Sequence, residues 1–125
     1  MTATPHTVGR DQPLTVAHRL MRDHRVRHLP VVHVGKLVGL VSDRDLALIE
    51  TLRDVDPAEV IVEEAMTQAP YTVGPDASLA EVAEHMAAHR YGSCVVVDGE
   101  RVVGVFTTVD ALEALAALLR SGAPA

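Results

Sequence analysis

Aromatic side chains are nearly missing from this chain of 125 residues: Trp is absent, and Tyr71, Tyr91 and Phe106 are the whole complement. Any core must therefore be aliphatic, and the ring platforms that hold single-stranded nucleic acid are excluded. Cysteine is as scarce. The single Cys94 permits neither an internal disulfide nor a Cys-based zinc site, which fits a reducing compartment. No apolar run approaches the roughly 18 residues of a membrane span, and the N-terminus lacks the basic-then-apolar signal pattern. The sequence thus reads as cytoplasmic, without a membrane partner. Positive charge is also short, with 11 Lys+Arg against 17 Asp+Glu and a net charge of −6, a field that repels DNA and RNA. The deficit is uneven: residues 1–60 carry 8 basic and 8 acidic side chains, and 61–125 carry 3 and 9. What is plentiful is aliphatic: 48% of residues are apolar and 22% charged, the balance of one soluble globular module.

The chain repeats itself. An offset of 65 positions, without gaps, pairs Met1 with Met66, Thr2 with Thr67, Pro5 with Pro70, Thr7 with Thr72, Val8 with Val73, Asp11 with Asp76, Leu14 with Leu79, Met21 with Met86, Val31 with Val96, Gly39 with Gly104 and Asp45 with Asp110. Two copies point to a pseudo-twofold module, because a solenoid needs three or more. In each copy a turn-rich stretch, 9–13 or 74–78, leads into a helix whose apolar face is Leu14, Ala17, Leu20 and Met21, or Leu79, Val82, Ala83 and Met86. Two β-branched runs joined by a Gly-containing turn follow, at 29–41 and 94–106, and read as hairpins. Second helices are expected over 43–52 and 109–120, with a capped helical restart at Asp56-Pro57. The expected fold is α+β, two βαββα repeats over 1–60 and 61–125 that bring their sheet faces together into one core.

At the end of each hairpin stands the same motif, Gly39-Leu40-Val41-Ser42-Asp43-Arg44-Asp45 and Gly104-Val105-Phe106-Thr107-Thr108-Val109-Asp110. One reading is a capping box, Ser42 or Thr107 as N-cap and Asp45 or Asp110 returning a carboxylate to the cap N–H. The box normally ends in Glu or Gln, so the shorter Asp in both copies favours an exposed acceptor instead. The Gly three residues before the hydroxyl leaves room for something to approach the strand. A helix N-terminus attracts an anion, a hydroxyl donates to a phosphate or sugar oxygen, and a carboxylate accepts from two vicinal hydroxyls. Together they suit a ribonucleotide.

With Met-Thr-x-x-Pro-x-Thr-Val in both copies, His28-Leu29-Pro30-Val31-Val32, Gly92-Ser93-Cys94-Val95-Val96-Val97-Asp98 and the doubled Gly-to-Asp motif, the sequence resembles the tandem cystathionine-β-synthase-type (CBS) domain pair, or Bateman module. The resemblance implies a regulatory, non-catalytic module that binds adenosine nucleotides (AMP, ADP or ATP) in two clefts between the repeats, with S-adenosylmethionine and NAD as alternative ligands and no required cofactor. It implies that Asp45 and Asp110 hold ribose hydroxyls and that Ser42 and Thr107 contact ribose or phosphate. Thr7 and Thr72, with the backbone of Val8 and Val73, would lie near the base. Arg27 and His28 would face phosphate, joined by Arg44 inside the motif and Arg10 in the leading turn. Copy two has Gly92, Ser93 and Val109 where copy one has Arg27, His28 and Arg44, so the two clefts are expected to be unequal.

The resemblance also implies a homodimer, for which the Ala/Leu stretch 112–119 is the candidate surface, and a separate effector protein that receives the signal. The rival readings are a scaffold with vacant clefts and a metal-dependent enzyme. His85 and His89 have the spacing of a metal pair, but no third ligand accompanies them, and a solvated helix face is the plainer reading. His24 and His89 read as helix-end residues near the last carbonyls, and Cys94 as a buried small hydrophobe. A Ser42–His28–Asp45 triad can be drawn, yet it leaves the second copy of the motif without a reason.

Overall fold

In the computed structural model residues 2–3 and 6–122 are described; Met1 and Pro5 of the repeated motif lie outside them. The chain order is β1 (Thr2–Ala3), β2 (Val8–Gly9), α1 (Leu14–His24), β3 (His28–His33), β4 (Lys36–Ser42), α2 (Asp43–Glu50), a 3-10 turn (Val62–Glu64), β5 (Thr67–Gln68), β6 (Thr72–Val73), α3 (Leu79–His89), β7 (Ser93–Asp98), β8 (Arg101–Thr107) and α4 (Thr108–Arg120). The expected βαββα order is present twice. Asp56-Pro57 does not restart a helix. The Asp56 carboxylate accepts from the Ala58 N–H at 3.0 Å and the Asp56 carbonyl from the Glu59 N–H at 2.9 Å, a single turn that the chain leaves at once.

The strands form two four-stranded sheets, ordered β2-β3-β4-β5 and β1-β8-β7-β6. Each sheet is completed by the other repeat. β1 runs antiparallel to β8 with Thr2 opposite Val105, and β5 runs antiparallel to β4 with Thr67 opposite Leu40, so the exchange obeys the 65-residue offset. β2 and β6 pair in parallel with β3 and β7, Val8 opposite Val31 and Thr72 opposite Val95. Parallel neighbours need a crossover, which α1 and α3 supply. Both hairpins slip register at the same place, after Val31 and after Val96. The first hairpin turns through Val34 and Gly35 at φ 51° and 75°, the pair of positive values a type I′ turn demands; a β-branched residue is strained there.

Burial is divided among three clusters, not gathered in the one core expected. Val8, Leu14, Ala17, Met21, Leu29, Val31, Val41, Leu46 and Val62 fill repeat one between sheet and helices. Val82, Met86, Cys94, Val96 and Phe106 do the same in repeat two. Leu40, Val95 and Val105 lie between the two sheets, where the faces meet as the sequence predicts. Period-two alternation separates the roles: Val41 looks to the helices, Leu40 to the other sheet. A buried leucine or valine contributes on the order of 2 kcal/mol, and repeat one holds more of them. On α1 Leu14, Ala17 and Met21 are buried and Leu20 partly so, whereas on α3 Leu79 is 52% exposed and Ala83 lies on the surface. Cys94 is fully buried, as expected, and burial pushes its thiol pKa up.

Candidate functional site

The two Gly-to-Asp motifs open on one cavity of about 780 Å³, lined by Arg25, Arg27, His28, Ser42, Arg44 and Asp45 from repeat one and by Gly92, Ser93, Thr107 and Asp110 from repeat two. Both motifs thus share one space. Its walls are the N-termini of α2 and α4 and the segments that lead into β3 and β7. Main-chain bonds fix this arrangement identically on both sides: the Asp43 N–H donates to the Arg27 carbonyl and the Thr108 N–H to the Gly92 carbonyl, each at 3.0 Å. The segment ahead of β3 is thereby held beside the start of α2, and that ahead of β7 beside the start of α4.

Both capping boxes are formed. The Asp45 carboxylate accepts from the Ser42 N–H at 2.9 Å while the Ser42 hydroxyl accepts from the Asp45 N–H at 3.1 Å. Thr107 and Asp110 repeat this at 2.9 and 3.2 Å, and the Thr107 hydroxyl also donates to the Asp110 carboxylate at 3.2 Å. The shorter Asp therefore closes the box as Glu would, contrary to the reading from side-chain length. Each cap uses Oδ2, and both carboxylates still line the cavity. The glycine argument is also corrected. A Cβ on Gly39 would collide with the Met66 sulfur and stand 2.9 Å from the Thr67 carbonyl, so it is the exchanged strand β5 that approaches there.

Charge in the cavity is mixed. Arg25, Arg27 and Arg44 stand with Asp43, Asp45, Asp110 and Glu113. Burial lowers the His28 pKa; Asp43, Asp45 and Asp110 pull it upward, and Arg27 pushes it down. Asp110 reaches His28 from the other repeat, which places both halves of the site around one imidazole. Arg10 is elsewhere: its guanidinium meets Glu63 at 3.3 Å and Asp11 at 3.9 Å. Thr7, Val8, Thr72 and Val73 are not among the residues that line the cavity; Val8 is buried in the core of repeat one, and Val73 borders a smaller cavity on repeat two. Arg25, Asp43 and Glu113 are lining residues that sequence reasoning missed. Arg25 ends α1 in the left-handed conformation at φ 55°, and its one sequence signal is that Arg90 repeats it 65 residues on.

The histidine pair belongs to a different surface. Tyr71, His85, His89 and Tyr91 form a run of stacked and tilted rings, and the His89 ring bonds the His85 carbonyl at 2.9 Å. His24 stacks on His6 at the end of α1. Among the described residues no group of three or more His, Cys, Asp or Glu is placed to hold a metal ion, and no helix is long and apolar enough to cross a membrane.

Comparison with known proteins agrees with this layout. The chain is 34% identical over 110 residues to the CBS domain-containing protein YhcV of Bacillus subtilis, covering 88% of this chain and 78% of that one. Among solved structures, a putative acetoin utilization protein (AcuB) from Vibrio cholerae superposes with a TM-score of 0.77 at 35% identity, covering 96% and 89% of the two chains. The CBS domain pair of protein MJ0100, solved with 5-methylthioadenosine and S-adenosyl-L-methionine, superposes with a TM-score of 0.78 at 27% identity over 93% and 92%. The CBS domain family itself matches residues 1–49 and 62–117. With a matched segment in each repeat and a shared cavity between them, the chain belongs to the CBS domain family.

Proposed function

We propose that this protein is a regulatory module, without catalysis of its own, that binds an adenosine nucleotide (AMP, ADP or ATP) between CBS repeats spanning 1–60 and 61–125 and passes its occupancy to a separate effector protein in the cytoplasm. The observation that carries the reading is the meeting of two helix N-termini, two hydroxyls, two carboxylates and three arginines around one cavity. Asp45 and Asp110 accept from ribose hydroxyls, Ser42 and Thr107 bond ribose or phosphate, the Arg27 and Arg44 guanidiniums compensate phosphate charge, and the His28 imidazole donates a hydrogen bond to phosphate. The adenosyl compounds bound by the MJ0100 pair support this ligand class, and keep S-adenosylmethionine, with NAD, as the alternatives.

A second copy completes the assembly. α4 buries none of its residues, and Val109, Leu112, Leu115 and Leu118 are 46–64% exposed, as is Leu48 on α2. Apolar surface of that extent on a small module calls for a partner, and a homodimer is the simplest one.

Titration calorimetry with AMP, ADP and ATP tests the ligand reading. Asp45→Ala or Asp110→Ala should weaken binding by about 30- to 150-fold, the loss of roughly 2–3 kcal/mol of charge-assisted hydrogen bonding. Each should also lower stability by about 1 kcal/mol through the lost cap. A fall in melting temperature with unchanged affinity would show that these carboxylates are caps and nothing more.

A further inference from the structure

Three arginines line the shared cavity, and each comes from a different element: Arg25 from the end of α1, Arg27 from the segment ahead of β3 and Arg44 from the first turn of α2. All three belong to repeat one. At the 65-residue offset Arg27 and Arg44 become Gly92 and Val109, and Arg90, the counterpart of Arg25, is not among the lining residues. The bond from the Asp43 N–H to the Arg27 carbonyl, at 3.0 Å, holds two of the three contributing segments side by side. None of the three guanidiniums pairs with a carboxylate among the described residues, although Asp43, Asp45, Asp110 and Glu113 line the same cavity. Elsewhere in the chain arginines do pair, Arg10 with Glu63 and Asp11, and Arg22 with Asp23. The carboxylates of repeat one in the cavity are engaged by main chain instead: Asp45 accepts from the Ser42 N–H at 2.9 Å and Asp43 from the Arg44 N–H at 2.8 Å. The guanidiniums are left for a ligand.

We infer that Arg25 is a specificity-determining residue, the third guanidinium that makes this cavity a site for a nucleoside di- or triphosphate in preference to a monophosphate. The inference rests on the nucleotide reading and narrows it. A guanidinium fork takes two oxygens at once, and it is strongest when both bonds form. Arg27 and Arg44 together therefore use up the three oxygens that a monophosphate presents. A third fork gains a partner only when the phosphate chain is longer. Arg25 stands two residues before Arg27, at the turn that closes α1, so it extends the cationic wall beyond the pair nearest the start of α2. Repeat two has no such wall, which leaves one place in the cavity for a polyphosphate.

Titration calorimetry of the full chain with ATP and with AMP, in magnesium-free buffer, tests it. ATP should bind about tenfold more tightly than AMP or better, and its affinity should fall more steeply as salt rises. Arg25→Asn should cut that preference by about tenfold, the lower end of what a charge-assisted bond contributes. Asparagine accepts the left-handed backbone of this position, so the end of α1 is kept. Arg90→Asn makes the same change at the matching helix end of repeat two, φ 58°, and should leave the preference as it is. Arg25→Lys keeps the charge without the fork and should fall between wild type and Arg25→Asn. Equal affinities for ATP and AMP, an unchanged preference in Arg25→Asn, or an equal fall in Arg90→Asn would overturn the inference while the nucleotide reading stands. No saturable binding of either nucleotide would overturn both.

Discussion

Leu14 and Leu79 occupy the same place in the two repeats, the first residue of the first helix, and share the same side chain, yet one is sealed and the other half open to water. The helices that carry them have the same length, and the sheets behind them have the same register. The difference comes from residues 60–66, which cross repeat one and supply Val62 to its core. In a duplicated fold, likeness of sequence secures likeness of backbone, whereas completeness of a core is decided by the segments between the copies. Among the described residues the core of repeat one is the more fully covered of the two.

The largest expected effect breaks this comparison at its centre. Leu14→Ala should cost about 3 kcal/mol, by transfer of the lost atoms and the cavity left behind, while Leu79→Ala should cost less than about 0.5 kcal/mol. Urea denaturation of both variants decides it, and equal losses would mean that Leu79 is as well covered in solution as Leu14. A second contrast lies between α2, which buries Leu46, and α4, which buries nothing. Sedimentation of the wild type at tens of micromolar should give a dimer and Leu112→Glu a monomer; a monomeric wild type would leave the exposed face of α4 without its proposed partner. The smallest effect concerns His28, whose counterpart is Ser93. Burial holds the His28 pKa below the ordinary value of about 6.5, so the unfolded chain takes up a proton that the folded chain refuses. Stability contributed by this site is then fully present above that value and lost as pH falls below it. His28→Ser should flatten the decline in melting temperature between about pH 7 and 5 relative to wild type. An identical slope would show that His28 is not titrating in that range.

Much of this was legible from the sequence because local rules act over short spans. Helix periodicity, hairpin turns and the doubled motif fixed the order of elements and put Ser42 with Asp45, and Thr107 with Asp110, at the starts of α2 and α4. What escaped depends on contacts across the pseudo-twofold axis. β1 and β5 are two residues each, too short to show alternation, so their exchange left no pattern. Gly39 looked like room for a ligand because nothing nearby in the chain hints that Met66 lies against it. Arg10 looked like a phosphate ligand because Glu63, its partner, lies far along the chain. Asp56-Pro57 carried a sound helix-start signal that the following residues do not continue.

The strand exchange bears on how the chain comes to be folded during synthesis. Thr2 must find Val105, so the sheet of repeat two cannot take in its edge strand until β8 has left the ribosome. Repeat one waits less, since Thr67 joins Leu40 soon after its own strands emerge. Contacts this distant in sequence slow folding, because a long loop must close before they reward it. The early edge of β4 is covered by the first residues of the next repeat, while Thr2 and Ala3 wait longest for their partners. Among the described strands the last made, β8, is thus the one that captures the first.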